Sequence, residues 1–139
     1  MAQQERFRLE VVTPQRLLVS EDVDEITAPG VEGEFGVLPG HTPFLTALGV
    51  GELMYRIGAE QHFLAVRHGF AEVTHEKVTV LAEEAEFPAE IDLAQAEAAK
   101  AEAEQALQRL SRESKEYLEA QAKLERAMNQ IQVARRHPG

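Results

Sequence analysis

The sequence contains no cysteine and no tryptophan, and aromatic residues make up only 6% of its 139 positions. Without cysteine the chain has no disulfide bond, no thiolate nucleophile and no cysteine metal ligand. No segment approaches the roughly 18 apolar residues that a membrane-spanning helix needs. The opening residues, MAQQERFRLE, also lack the apolar core of a signal peptide. We therefore expect a soluble, cytoplasmic chain.

Basic residues are scarce relative to acidic ones. The chain has 14 Lys and Arg against 24 Asp and Glu, which gives a formal net charge of -10. A surface of this sign repels phosphate groups, and the sequence has no basic patch that would offset the repulsion. We therefore expect no nucleic-acid partner.

Motifs that carry catalytic chemistry are missing as well. The sequence has no glycine-rich phosphate loop, no dinucleotide fingerprint, no zinc-protease motif and no nucleophile elbow. Its five histidines do not follow the spacing of metal ligands. The sequence predicts no catalytic centre, no metal site and no cofactor.

The distribution of glycine and proline divides the chain in two. Eight of the nine glycines lie between residues 30 and 69, and no glycine or proline occurs from residue 89 to residue 137. The charge changes at the same place: the first part has 15 acidic and 6 basic residues, and the second part has 9 and 8. We predict an N-terminal domain of residues 1–88 and a C-terminal domain of residues 89–139.

The first part is typical of an all-β sandwich. Apolar and polar residues alternate in FRLEVVT, which places Phe7, Leu9 and Val11 on one face of a strand. Further short β-rich runs are separated by turn residues at intervals of about 8 to 12 residues. The core that we predict consists of Ile26, Phe35, Leu38, Phe44, Leu45, Leu48, Leu53, Ile57, Phe63, Val66, Phe70, Val73, Val78 and Val80.

The second part predicts an antiparallel hairpin of two helices. Twelve of its 51 residues are alanine, and Asp92 with Gln95 has the pattern of an N-terminal capping box. The predicted seam of the first helix is Ala96, Ala99, Ala103, Ala106 and Leu110, and that of the second is Tyr117, Gln121, Leu124, Met128 and Ile131.

An alanine seam holds two helices together weakly. A buried methyl group contributes about 0.8 kcal/mol, whereas a buried leucine contributes about 1.5 to 3 kcal/mol. The hairpin could therefore open without either helix melting, or it could be a static appendage. An independent β-sandwich binding module with a dimerising coiled-coil tail is a further alternative. Each helix spans fewer than four heptads, which is marginal for such a coiled coil.

One string gives the chain a family resemblance. The segment EGEFGVLPGHTPFLTAL is preceded by VDEITAPG and followed by GFAEV, KVTVLAEEAE and EID. This pattern resembles the epsilon subunit of bacterial F-type ATP synthases, the counterpart of the mitochondrial delta subunit, over essentially the whole chain. The resemblance implies a β-sandwich of about ten strands followed by an antiparallel two-helix hairpin, an α+β fold overall.

The resemblance also implies a function. Such a chain is a non-catalytic rotor subunit of the central stalk at the cytoplasmic face of the bacterial inner membrane. It binds the gamma subunit and the c ring, and it couples ion flow to ATP synthesis. Glu34 and His41 match positions that lie near these contacts in relatives. An alternative for His41 is that it holds a turn by hydrogen bonding.

The hairpin is the regulatory part of this family. In relatives it can extend into the alpha/beta catalytic head, where basic residues meet acidic loops and block ATP hydrolysis. The residues that could supply this charge here are Arg112, Lys115, Lys123, Arg126, Arg135 and Arg136. Alternatively, they form a solvated helix face that pairs with Glu116, Glu119 and Glu125.

Some relatives also bind ATP on the folded hairpin. The positions that match this motif are Ile91, Asp92, Ala96 and Arg126. Two arginines of the motif are replaced by Gln95 and Gln130, and Glu102 stands where another positive charge can occur. A neutral amide cannot replace the charge-assisted phosphate contacts of a guanidinium group. We therefore predict weak or absent ATP binding.

Overall fold

The computed structural model describes residues 5–138. The chain forms two compact units, which divide between Glu86 and Phe87. Within the described residues, no helix combines the length and the apolar character that crossing a membrane requires.

The first unit is a β-sandwich, as predicted. Its strands are β1 (Phe7–Val12), β2 (Leu17–Val23), β3 (Glu25–Gly30), β4 (Gly33–Val37), β5 (Phe44–Ala47), β6 (Val50–Ile57), β7 (Glu60–Val73) and β8 (Lys77–Glu86). They are hydrogen-bonded in the order β2-β1-β8-β7-β6-β3-β4, and β5 also pairs with β7. The pairing of β1 with β8 is parallel, whereas β7 pairs antiparallel with both β6 and β8.

Residues 5–138 contain eight strands, where the resemblance implied about ten. One reason is that β7 continues for 14 residues through a bend at His68 and Gly69. Before the bend β7 pairs with β6, and after it β7 pairs with β5. The two parts of one strand therefore pair with different strands on the same side.

Close backbone packing explains the glycine at this bend. Gly69 has a φ of 111°, and a Cβ atom placed there would lie 1.9 Å from the Leu81 carbonyl oxygen. The Gly69 carbonyl also accepts a hydrogen bond of 2.9 Å from the Leu48 N–H. Only glycine has both the conformational freedom and the space for this position.

The core of the sandwich contains half of the residues predicted for it. The predicted residues that are buried are Ile26, Leu48, Leu53, Val66, Val73, Val78 and Val80. The prediction was wrong for Leu38, Phe44, Leu45 and Phe70, which are 39–68% exposed. Phe35, Ile57 and Phe63 are partly exposed. Hydrophobicity alone does not say which face of a strand turns inward, because that depends on its pairing.

A buried carboxylate fixes one corner of the sandwich. Asp24 accepts hydrogen bonds from the Gly58 N–H at 2.6 Å and from Arg6 Nε at 3.1 Å, and its side chain is fully buried. Arg56 Nη1 lies 3.9 Å from the same carboxylate. The Gly58 N–H, followed by Arg6, lowers the pKa of Asp24.

The second unit consists of a short 3₁₀ turn and two helices, α1 (Leu93–Arg109) and α2 (Lys115–Arg136). Asp92 Oδ1 accepts a hydrogen bond of 3.0 Å from the Gln95 N–H, and Ser114 Oγ accepts one of 3.1 Å from the Tyr117 N–H. These caps satisfy backbone donors that a helix start leaves unpaired. Both helices therefore begin where the sequence predicts.

Alanine lies on the packed face of both helices. Ala96 and Ala103 are buried on α1, as predicted. On α2 the buried apolar residues are Ala120, Ala127, Ile131 and Val133. The predicted seam of α2 was therefore wrong for Gln121 and Met128, which are exposed. Small side chains allow close packing of the helix axes, so larger neighbours are displaced to the flanks.

Candidate docking surfaces

Glu34 lies on β4 in the tight hairpin between β3 and β4. Its side chain is exposed, and its backbone pairs with Pro29. Gly33 precedes it with a φ of 128°, a conformation that favours glycine and forms the turn. The turn thus presents the Glu34 carboxylate to solvent on a backbone held by strand pairing.

His41 lies in the loop after β4 and is partly buried. Its Nδ1 atom is 2.8 Å from the Leu38 carbonyl oxygen, and its Nε2 atom contacts the Thr74 carbonyl oxygen. The ring also packs edge-on against Phe7, with centroids 5.2 Å apart. These contacts tie the loop to the turn between β7 and β8 and match the turn-holding alternative for His41.

A row of apolar side chains crosses the outer face of five strands. Strand pairing aligns its members in the order Leu17, Val12, Leu81, Phe70 and Ala47. Leu17, Leu81 and Phe70 are 56%, 53% and 56% exposed. Residues that pair directly across strands point to the same side of the sheet. We call these five residues the apolar stripe.

Sequence reasoning missed the apolar stripe and assigned Phe70 to the core. A local signal could have corrected this, because Phe70 shares its face with Glu72, whereas Ala71 and Val73 are buried. The alignment of Phe70 with Leu81 is a long-range feature that this local alternation does not reveal.

Carboxylates border the apolar stripe. Exposed Glu83 follows Leu81 by two residues on β8, and exposed Glu72 follows Phe70 by two residues on β7. Glu10, two residues before Val12, lies 2.9 Å from Lys77 Nζ. The hydrogen bond from Lys77 lowers the pKa of Glu10.

The six basic residues predicted as inhibitory contacts do not gather at one point. Arg112 precedes α2, Lys115 begins it, and Arg136 ends it. A helix of this length spans about 33 Å. Lys115 Nζ lies 3.9 Å from Glu119 Oε1, and Arg135 forms an ion pair with Glu97 on the opposite helix. Both pairs are largely exposed, so each contributes little stability.

An open cleft of about 480 Å³ lies between the two helices. Its charged lining consists of Glu102, Glu116, Glu119, Lys123 and Arg126. Carboxylates outnumber bases there, which disfavours a polyphosphate ligand because like charges repel.

The residues that match the ATP motif are divided between different environments. Arg126 lines the cleft, but Ile91, Asp92 and Ala96 are not part of its lining. Ile91 and Ala96 are buried, and Asp92 caps α1. Residues 5–138 also contain no group of three or more His, Asp or Glu side chains that could hold a metal ion.

Comparisons with known proteins match both units. The family model described as the β-sandwich domain of the ATP synthase delta/epsilon chain matches residues 6–88, and that of the long alpha-helix domain matches residues 89–135. ATP synthase epsilon chain 2 of Syntrophotalea carbinolica is 53% identical over 132 residues, which cover 95% of this chain and 96% of the relative. The epsilon chain of Geobacter metallireducens is also 53% identical, over 94% of both chains.

Solved structures agree with this assignment. A chain in the mitochondrial ATP synthase of Euglena gracilis matches with a TM-score of 0.81 and 27% identity, over 95% of this chain and 82% of that one. A chain in the Tetrahymena thermophila central stalk and c ring has a TM-score of 0.58 at 12% identity and supports the fold alone. The resemblance seen in the sequence is confirmed, and the chain belongs to the delta/epsilon family of ATP synthase chains.

Proposed function

We propose that this chain is a non-catalytic subunit of the central stalk that binds the gamma subunit and the c ring and couples proton flow to ATP synthesis. Similarity to epsilon chains over 94–95% of its length carries this proposal. The Euglena assembly that contains a similar chain is described as including F1 and the c ring, which supports the same setting. We propose that in a bacterium the chain lies peripherally at the cytoplasmic face of the inner membrane.

Glu34 is the contact residue that we propose on the β3–β4 turn. Its carboxylate is exposed on a backbone that strand pairing fixes, so binding requires little ordering of the turn. His41 supports the neighbouring loop through its contacts with Leu38 and Thr74. We therefore expect Glu34 to contact the partner and His41 to maintain the shape of the contacting surface.

Substitution of two neighbouring acids tests this assignment. Glu34→Gln removes the charge and keeps the size of the side chain, and Glu32→Gln is a matched control because Glu32 is exposed in the same hairpin. We expect Glu34→Gln to weaken retention of the chain on purified gamma and c-ring complex more than Glu32→Gln does. Equal retention of both variants would remove Glu34 from the interface.

We further propose that the helical hairpin inhibits ATP hydrolysis. Both helices are capped and rich in strong helix formers, so each can remain helical if the contact between them is lost. The buried residues of the two helices include four alanines, Ala96, Ala103, Ala120 and Ala127. The basic residues along α2 are the candidates for contact with acidic loops of the alpha/beta head. ATP is at most a weak ligand of the hairpin, because Glu102 shares the cleft with Arg126.

Removal of the hairpin separates coupling from inhibition. We propose the functional boundary at residue 88, so a chain of residues 1–88 retains the contacts with gamma and the c ring. In a reconstituted complex, we expect this chain to support proton-coupled ATP synthesis and to increase ATP hydrolysis. Unchanged hydrolysis would contradict the inhibitory role, and failure of the full chain to bind gamma would contradict the proposed function as a whole.

A further inference from the structure

We propose that His41 holds its loop in a proton-dependent way. With both ring nitrogens protonated, His41 ties the loop of residues 38–43 to the turn between β7 and β8, and loss of one proton at higher pH releases the loop. We call the His41 ring with its two carbonyl acceptors the His41 clasp. The clasp is a property of the free chain, whereas its consequence for partner binding rests on the proposed function.

Both ring nitrogens of His41 face carbonyl oxygens. Nδ1 lies 2.8 Å from the Leu38 carbonyl oxygen, and Nε2 contacts the Thr74 carbonyl oxygen. A carbonyl oxygen only accepts hydrogen bonds, so each nitrogen has to donate one. A neutral imidazole has one N–H, whereas the imidazolium has two. The two acceptors therefore select the doubly protonated ring.

The loop has few other hydrogen bonds. Pro39 and Pro43 have no N–H. Within residues 5–138, the N–H groups of Gly40, His41 and Thr42 donate to no other backbone group. The His41 ring thus supplies the two hydrogen bonds that fix this loop, and a change in its protonation changes the order of the loop.

The charged groups of β1 are paired with carboxylates. The His41 ring packs against Phe7, whose neighbours on β1 are Arg6 and Arg8. Arg6 forms an ion pair with Asp24, and Arg8 forms one with Asp22. Both guanidinium groups are therefore neutralised before they can oppose a proton on the ring.

The remaining charged groups around the ring lie in the turn and on β4. His75 and Glu76 are exposed to solvent, and Lys77 Nζ lies 2.9 Å from Glu10 Oε1. On β4 the charged residue is Glu34, the second residue of that strand. The two acceptors of the ring itself are neutral carbonyl groups.

The direction of the pH effect follows from the proton count. The clasped loop holds one more proton than a released loop with a neutral ring, so protonation favours the clasp. The clasp forms at low pH and is lost as the pH rises through the range of about 5 to 8 in which histidine side chains change charge. Because the loop follows the strand that carries Glu34, its release alters the surface that we propose for partner binding.

Nuclear magnetic resonance of the full free chain tests the clasp. Long-range correlations between ring protons and nitrogens show whether one or both nitrogens of His41 are protonated, and order parameters report the mobility of the Gly40, His41 and Thr42 amides. We expect two ring N–H groups and order parameters of about 0.85 at about pH 5.5. At about pH 8 we expect one ring N–H group and order parameters below about 0.6.

Two glutamine variants provide the comparison. His41→Gln removes the ring and cannot gain a charge at any pH, so its loop should be mobile at both pH values. His75→Gln is the matched control, because His75 is exposed in the turn that the clasp holds. We expect His75→Gln to keep the pH response of the original chain. Thermal melting of both variants checks that the sandwich is intact.

Retention on purified gamma and c-ring complex tests the consequence for partner binding. Any pH dependence of the partner is common to all chains, so the informative quantity is the ratio of the Kd at pH 8 to the Kd at pH 6. We expect this ratio to be at least about threefold larger for the original chain than for His41→Gln, because only the original chain loses an ordered loop.

Each failure has a distinct meaning. Loop order parameters that do not change with pH in the original chain would overturn the clasp, and so would an equal pH response in His41→Gln. If the clasp responds as expected but the Kd ratios are equal, the consequence for partner binding is wrong. If the original chain does not bind at either pH, the proposed function fails and the clasp in the free chain stands.

Discussion

Replacement of Gly69 by alanine tests the close approach of β7 to β8. A Cβ atom at this position would lie 1.9 Å from the Leu81 carbonyl oxygen and 2.9 Å from the Leu81 carbonyl carbon. The two strands would have to separate locally, which weakens the pairing of Gly69 with Ala82. Strain from the positive φ costs about 1 to 2 kcal/mol. If about two hydrogen bonds between the strands are weakened, they cost about 1 kcal/mol each. We expect a total loss of about 3 to 4 kcal/mol in unfolding free energy.

Gly58 provides the control, because it also has a positive φ, of 61°, but an added Cβ atom there would have no neighbouring atom within 4 Å. Gly58→Ala therefore has only the conformational cost, which the reduced freedom of the unfolded chain partly offsets. We expect this loss to be about 1 kcal/mol or less. The difference between the two variants isolates the effect of the contact with Leu81.

Hydrogen exchange of backbone amides in β1 and β8 measures the stability of the sandwich without a contribution from the helices. Thermal melting gives a second measure, since 1 kcal/mol shifts the midpoint of a domain of this size by about 4 to 8 °C. The reasoning is refuted if Gly69→Ala destabilises the sandwich no more than Gly58→Ala does.

Three further predictions concern pH, helix packing and ATP. The pKa of Asp24 is lower in the folded chain than its usual value of 3.8. The ionised Asp24 carboxylate therefore stabilises the fold above pH 3.8, and this stabilisation is lost as the pH falls through the folded pKa. Asp24→Asn should make the free energy of unfolding less dependent on pH on the acid side. Ala103→Leu should overpack the hairpin and cost about 1 to 3 kcal/mol, whereas exposed Ala101→Leu should be nearly neutral, as judged by amide exchange of both helices. Equal protection in these two variants would contradict the packed alanine face. Calorimetry with magnesium-free ATP should detect no binding in the low micromolar range, because carboxylates outnumber bases in the lining of the cleft that contains Arg126. A low micromolar Kd would refute this prediction.

Local signals predicted the starts of both helices and the buried face of the first strand. Asp92 and Ser114 cap their helices through hydrogen bonds within three residues, so the sequence contains the information directly. The alternation of Phe7, Leu9 and Val11 also gave the buried face of β1 correctly. Such features depend on neighbours in the chain and need no knowledge of the tertiary fold.

Features that depend on distant pairing were not predictable in the same way. The alternation of residues 70–73 places Phe70 outward, but its alignment with Leu81 and Ala47 depends on strand pairing that the local sequence does not show. On α2 the predicted seam was right for Ile131 but wrong for Gln121 and Met128, because Ala120 and Ala127 occupy the packed face. Glu34 was proposed from a family resemblance, whereas the alignment of the apolar stripe required the register of five strands.

The parallel pairing of β1 with β8 also has a consequence for folding. Arg8 pairs with Lys77, so the first strand of the sheet finds one of its neighbours only in the last strand. A contact of such high sequence separation carries a large loop-closure entropy and slows folding. During synthesis, β1 and β2 can form an early hairpin. The edge of β1 that pairs with β8 stays exposed to other chains until β8 has emerged from the ribosome. We therefore expect nascent chains that stop before β8 to aggregate more readily than chains that include it.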